Sequence, residues 1–113
     1  MLVSDSAECF DIKIADLGFA QKFDKSSGLS LVLGTPLYMA PELVKHETYS
    51  EKVDVWSLGC ICYQLLTGKT PFDGKSLKII NHNICSKDLN FGGAFKKISQ
   101  NAVDFIMCCL DRD

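Results

Sequence analysis

The stretch Tyr49–Gly68, YSEKVDVWSLGCICYQLLTG, limits the fold more than any other part of this chain. From Val53 to Leu66 its apolar residues are Val53, Val55, Trp56, Leu58, Ile61, Cys62, Tyr63, Leu65 and Leu66. At about 100° per residue they occupy nearly the whole circumference of a helix, and a helix that is apolar all round is buried in protein or lies in a membrane. The run falls short of the ~20 predominantly apolar residues that a bilayer requires, and Asp54 interrupts it. It therefore reads as a buried helix of a soluble protein, with no membrane partner. Ser50 is a suitable N-cap, and Glu51 and Asp54 favour the positive end of the helix dipole. Thr67-Gly68 supplies a glycine stop, and Pro71 blocks continuation. Asp54 has two readings: a half-exposed acid at a helix start, or a buried acid that holds a neighbouring loop through backbone N–H groups.

With 113 residues, 47% hydrophobic and 23% charged, the chain has the size and composition of one small globular domain. A net charge of -2 and a pI near 5.6 give no electrostatic case for nucleic acid or an anionic membrane. The N-terminus, MLVSDSAECF, has neither the basic region nor the long apolar core of a secretory signal. Cys9, Cys60, Cys62, Cys85, Cys108 and Cys109 form no CxxC. Cys60 and Cys62 point about 200° apart on a helix, so they neither share a metal nor readily bridge. The expectation is six reduced thiols in a cytoplasmic protein, several of them small core residues. His46 and His82 have no partner at ligand or general-base spacing and read as surface residues.

Taken in order, Met1 to Ser4 reads as the end of a short strand and Asp5 to Glu8 as a turn. Phe10 to Ala15 alternates, with Phe10, Ile12 and Ile14 on one side, which predicts a half-buried strand. Asp16-Leu17-Gly18 follows, then Phe19 to Phe23 as a second short extended piece. Asp24 to Ser30 is a flexible loop on composition. Two prolines in Gly34-Thr35-Pro36-Leu37-Tyr38-Met39-Ala40-Pro41-Glu42 rule out a regular helix across it, and Pro41 suits the first position of a short helix over Glu42 to Lys45. Ser76 caps a helix to about Ile84. Phe91-Gly92-Gly93 is a loop, and Ser99 caps a last helix with Ala102, Phe105, Ile106, Cys109 and Leu110 at helical spacing.

These residues resemble the eukaryotic serine/threonine protein kinases. Asp16-Leu17-Gly18 looks like the metal-binding Asp-Phe-Gly. Gly34 to Glu42 is similar to the end of the activation segment. Asp54-Val55-Trp56-Ser57-Leu58-Gly59 resembles the start of the long central helix of the large lobe, and Leu66-Thr67-Gly68-Lys69-Thr70-Pro71-Phe72 the connection after it. Four such motifs in the family's order and spacing are a specific signal, where a lone DxG is not. The fold the resemblance implies is mainly α with a short N-terminal β-hairpin, a partial kinase-like large (C-terminal) lobe. Within it, 1–23 would be short strands carrying the metal motif, 24–42 the activation segment, 50–67 the central buried helix, and 76–84 and 99–110 further helices.

The resemblance also implies roles. Asp16 would bind the Mg²⁺ that bridges the ATP phosphates, since a hard cation with few protein ligands needs a rigidly placed carboxylate. Gly18 would let the backbone turn sharply after it. The plainer reading of Asp16 is a turn acid at a strand end. Leu17 stands where the family has Phe, a smaller apolar plug. Thr35 would contact the catalytic loop and favour a Ser or Thr acceptor, against a plain reading as a turn threonine before proline. Leu37 and Tyr38 would line the pocket for the substrate residue after the acceptor. Glu42 would pair with an arginine a few residues beyond Asp113, Arg112 being too early. Asp54 would hold the catalytic loop's backbone, and Trp56 would pack under the activation segment, close to a plain core role. An activating phosphate would fall at Leu31, so that latch is missing there, and Ser26, Ser27 and Ser30 read as a solvated loop.

The chain has no glycine-rich phosphate loop, no strand lysine with its partner glutamate, and no His-Arg-Asp loop with its asparagine. No catalytic residue is therefore named, because the loop's aspartate is absent. The resemblance places both chain ends within the kinase domain's core rather than at a linker, with the remainder of the domain as the missing partner and a protein as substrate. One side of the central helix would then be uncovered. Removing one member of a buried charge pair costs ~3–5 kcal/mol, and a small domain has only ~5–15 kcal/mol in total. The isolated chain is expected to be at best marginally folded and inactive. The other function class in view is a non-catalytic binding module that docks a partner through the helix at Ser76 to Ile84 and the activation segment.

Overall fold

The computed structural model describes residues 2–3, 12–22, 29 and 34–112. Most of its regular structure is helical. Strand β1 (Leu2–Val3) pairs antiparallel with β2 (Ile12–Lys13), Leu2 opposite Lys13 and Val3 opposite Ile12. After them come 3-10 turns at Leu17–Phe19 and Pro36–Tyr38, then α1 (Pro41–Val44), α2 (Lys52–Thr67) and α3 (Leu77–Ser86). A 3-10 stretch, Gly92–Lys97, leads into α4 (Gln100–Cys109).

The N-terminal strand pair is present, but its expected burial is not. Ile12 is 63% and Ile14 88% exposed, because no other described element packs on so short a pair. Phe10 lies outside the described residues. Of the second extended piece, Phe19 instead ends a 3-10 turn begun at Leu17, closed by the Ala20 N–H on the Leu17 carbonyl at 3.0 Å, and the backbone is extended at Ala20. Phe23, Ser26, Ser27, Ser30 and Leu31 lie outside the described residues. Leu29, the one described residue of the expected flexible loop, makes a two-bond antiparallel bridge with Tyr49 at 3.0 and 3.2 Å.

Local signals set the helix ends. Pro41 takes the first position of α1, where its missing N–H costs nothing. The Ser50 hydroxyl accepts the Lys52 N–H at 3.3 Å at the start of α2. Gly68 ends α2 in the left-handed region (φ 74) and donates its N–H to Gln64 at 2.8 Å, a conformation that strains any side chain-bearing residue. Ser76 and Ser99 cap α3 and α4, accepting the N–H groups of Ile79 and Ala102.

Helix α2 is not buried all round. Trp56, Gly59, Cys60 and Tyr63 face the core, while Val55, Leu58 and Leu66, each 47% exposed, and Leu65 at 69% form a second stripe that faces away. The reason is coverage: α4 and the Pro36–Tyr38 turn pack on one side of α2, and the other apolar stripe has no described element upon it. The core gathers Ala40, Trp56, Cys60, Phe72, Ile84 and Ile106. Trp56 stacks on Phe72 at 5.6 Å between ring centroids, and Tyr63 meets Phe91 at 5.2 Å. Phe91 is thus a core residue, and the expected Gly92-Gly93 loop is 3-10 helical. In α4 the buried face is Val103, Ile106 and Cys109, while Phe105 is 49% exposed. The last turn is held from afar: the Arg112 guanidinium donates to the carbonyls of Ile84 (2.8 Å), Asn83 and Lys87, and lies over the Phe72 ring.

Among the described residues Cys60, Cys62, Cys85, Cys108 and Cys109 are free thiols, and no helix is long and apolar enough to cross a membrane. Cys9 is outside them. His46 and His82 are exposed, as expected.

Candidate functional site

Asp16 follows strand β2 and opens the Leu17–Phe19 turn with a backbone at φ 62, ψ 69. The left-handed region costs a non-glycine residue about 1–2 kcal/mol, and short polar side chains such as Asp accept it most readily. The turn leaves the carboxylate exposed. Its Oδ1 lies 3.4 Å from where a Cβ on Gly18 would stand, an ordinary contact distance, so the carboxylate lies beside Gly18.

Thr35 precedes the Pro36–Tyr38 turn and is exposed; its carbonyl accepts the Tyr38 N–H at 3.1 Å. Leu37 and Tyr38 are half-buried. The Tyr38 phenol donates to Gln64 Oε1 at 2.8 Å, and the Ser57 hydroxyl donates to the Tyr38 carbonyl at 2.9 Å and to the Val53 carbonyl at 3.1 Å. This turn is therefore locked onto α2 from both its side chain and its backbone. Gln64 and Ser57 were not foreseen. The only signal for them is that they are polar positions inside an otherwise apolar helix.

Asp54 sits exposed in the first turn of α2. It lines an open cleft of about 400 Å³ together with Phe19, Gln21, Gly34, Leu43 and Ser57. That cleft brings the segment after Asp16 to the head of α2. Glu42 is half-buried in the first turn of α1 and lines a different cleft, with Lys45, Lys52, Trp56, Asp111 and Arg112. Arg112 is committed elsewhere, to the α3 carbonyls. Trp56, 3% exposed, shares the core with Ala40 from the end of the 34–42 segment, and its indole Nε1–H has no acceptor among the described residues.

Burial pushes the Cys60 thiol up to about 12. It raises Tyr63 as well, partly offset by a hydrogen bond with Thr67.

The protein kinase domain model matches residues 1–113, the whole chain. The chain belongs to the protein kinase family. Among curated proteins, the serine/threonine-protein kinase ATG1c of Arabidopsis thaliana is 38% identical over 114 aligned positions, which cover 100% of this chain and 16% of that protein. The serine/threonine-protein kinase PEPKR2 of the same plant is 43% identical over 103 positions, 90% of this chain and 22% of its own. The smooth-muscle myosin light chain kinase of Gallus gallus is 37% identical over 103 positions, 90% of this chain and 5% of its own. The chain thus spans about a sixth of the length of ATG1c. Its Asp-Leu-Gly turn, its proline-rich segment and α2 all fall inside the kinase match.

Proposed function

We propose that this chain is the part of a serine/threonine protein kinase that carries the metal carboxylate, the activation segment and the substrate-side helices of the large lobe. The complete domain would transfer the γ-phosphoryl group of ATP to a Ser or Thr hydroxyl of a protein substrate, in the cytoplasm. The observation that carries this is the strained Asp16. Its left-handed backbone opens the Leu17–Phe19 turn and presents one exposed carboxylate there. A single carboxylate is a fitting donor for Mg²⁺, which keeps its waters and takes further oxygens from substrate phosphates. The metal, when bound, supplies charge stabilisation at the phosphates.

The chain's own residues do the rest of what this part can do. Gly18 lets the backbone turn sharply after Asp16. Thr35, Leu37 and Tyr38 shape the acceptor side, with Gln64 and Ser57 holding Tyr38 in place. Asp54 and Glu42 offer carboxylates to the remainder of the domain, and Trp56 fixes α2 to the Phe72 turn. The phosphate loop, the lysine and the catalytic aspartate are not in this sequence, so the 113-residue chain alone is inactive in this reading.

The test is a chimera in which this chain replaces the matching segment of the ATG1c kinase. Transfer of labelled phosphate to Ser/Thr peptides is expected, falling by a factor of 10² or more on Asp16→Asn, while the isolated chain shows none. A folded chimera without activity, or one indifferent to Asp16→Asn, would refute the proposal. The binding-module reading rests on the exposed Leu77 and Ile79 of α3. An inactive chimera that still captures a partner through those two residues would favour it.

A further inference from the structure

Helices α2 and α4 nearly touch at Gly59. A Cβ built there would stand 2.7 Å from the Cβ of Cys109 and 3.0 Å from the side chain of Leu110. Cys62 lies three residues along α2 on the same side, and Cβ positions at that spacing are about 5–6 Å apart. The Cβ of Cys109 therefore stands no more than about 8–9 Å from that of Cys62. A disulfide joins Cβ atoms about 3.5–4.5 Å apart, so closure takes rotamer changes together with a slide of the α4 end toward Cys62. Cys62 is half-buried at the edge of the core, Cys109 is buried, and Cys108 beside it is exposed. Cys60 is directed into the core with no exposed surface, about 200° around α2 from Cys62.

We propose that Cys62 and Cys109 are an oxidation site, closing on exposure to a peroxide into a disulfide that ties α2 to α4. The inference rests on helix packing and does not depend on the kinase reading. The Cys109 thiol is raised, first by burial and then by its Cys62 and Cys108 neighbours, which accords with Cys62 lying near it. The chemistry balances. The more accessible Cys62 sulfur attacks one oxygen of hydrogen peroxide; the O–O bond breaks, one water leaves, and Cys62 becomes a sulfenic acid. The Cys109 sulfur then attacks the Cys62 sulfur. The S–S bond forms, the S–O bond breaks, and the departing hydroxide leaves as a second water with the Cys109 proton. Two thiols are oxidised and one peroxide is reduced to two waters. The product locks together the two helices that sandwich Gly59.

The test uses the whole 113-residue chain, treated with hydrogen peroxide, alkylated and digested with trypsin. Peptides 53–69 and 98–112 hold the relevant cysteines, and fragmentation of the linked pair locates the bridge. The Cys62–Cys109 link is expected several-fold above its level in chain oxidised in urea. It should persist in Cys108→Ser and vanish in Cys62→Ser and Cys109→Ser, with helical circular dichroism of each reduced variant as the check on folding. A bridge from Cys60 or Cys108 instead, or a link no more abundant than in urea, would overturn the proposal. So would peroxide consumption that ends in Cys108 oxidation alone.

Discussion

Gly59→Ala sets two effects of opposite sign against each other. On an isolated helix, alanine is better than glycine by about 1 kcal/mol. At this position the new methyl would fall 2.7 Å from the Cβ of Cys109 and 3.0 Å from two atoms of Leu110. The Leu110 tip can swing aside. The Cys109 Cβ is fixed to the α4 backbone and cannot, so the end of α4 must slide by about 1 Å to restore ordinary contact. Overpacking of that kind costs about 1–3 kcal/mol. Set against the helix gain, this leaves a net loss of up to about 2 kcal/mol. With the m-values of small domains, this moves a urea midpoint down by up to about 1 M, read by far-ultraviolet circular dichroism with m unchanged. Gly93→Ala, with nothing within 4 Å of the added atom, is the control and should shift little. A Gly59→Ala midpoint above the parent's, the full helix gain with no packing cost, would show that α4 does not press on α2 as described.

Three other outcomes follow from the same packing. Phe72→Ala removes the ring that Trp56 stacks on and leaves a core cavity, for a loss of about 3–5 kcal/mol; a chain that unfolds in urea with an unchanged midpoint would refute that packing. Arg112→Ala strips three carbonyls of their donor. It should cost about 1–3 kcal/mol and speed amide hydrogen exchange at 84–87, and unchanged exchange there would count against the contact. Cys60, held at about 12 in the folded chain against 9.0 for an ordinary thiol, contributes nothing below pH 9, where both states are protonated. Between pH 9 and 12 only the unfolded chain releases its proton, so stability falls by up to about 1.4 kcal/mol per pH unit. Urea midpoints at pH 8, 9.5 and 11 should fall less steeply in Cys60→Ala, and equal slopes would exclude Cys60 as the cause.

Much of the helical frame was legible because its signals are local. Ser76 and Ser99 needed only a capping hydroxyl before an apolar run, and Gly68 only the left-handed geometry that ends a helix. Pro41 at a first turn follows from its missing N–H. What was not legible depends on which neighbours arrive. Periodicity marks Leu58 and Leu65 as apolar without saying that α4 covers the opposite stripe. It offers Phe105 and Ile106 alike to the core, and packing against α2 selects Ile106. Phe91 beside two glycines reads as loop, and only Tyr63 makes it core. For the candidate site, the motif residues were visible as types at a spacing. The strained backbone of Asp16, and the Ser57 and Gln64 bonds that seat Tyr38, belong to three-dimensional geometry that no single stretch encodes.

The chain carries one tryptophan, and it stands face to face with Phe72 in the innermost part of the molecule. Its ultraviolet emission therefore comes from a single place, the seam between α2 and the Pro71-Phe72 turn. A blue-shifted spectrum reports that seam closed, and a red shift reports water reaching it. The indole is a built-in gauge of whether α2 has met its floor, readable without any label.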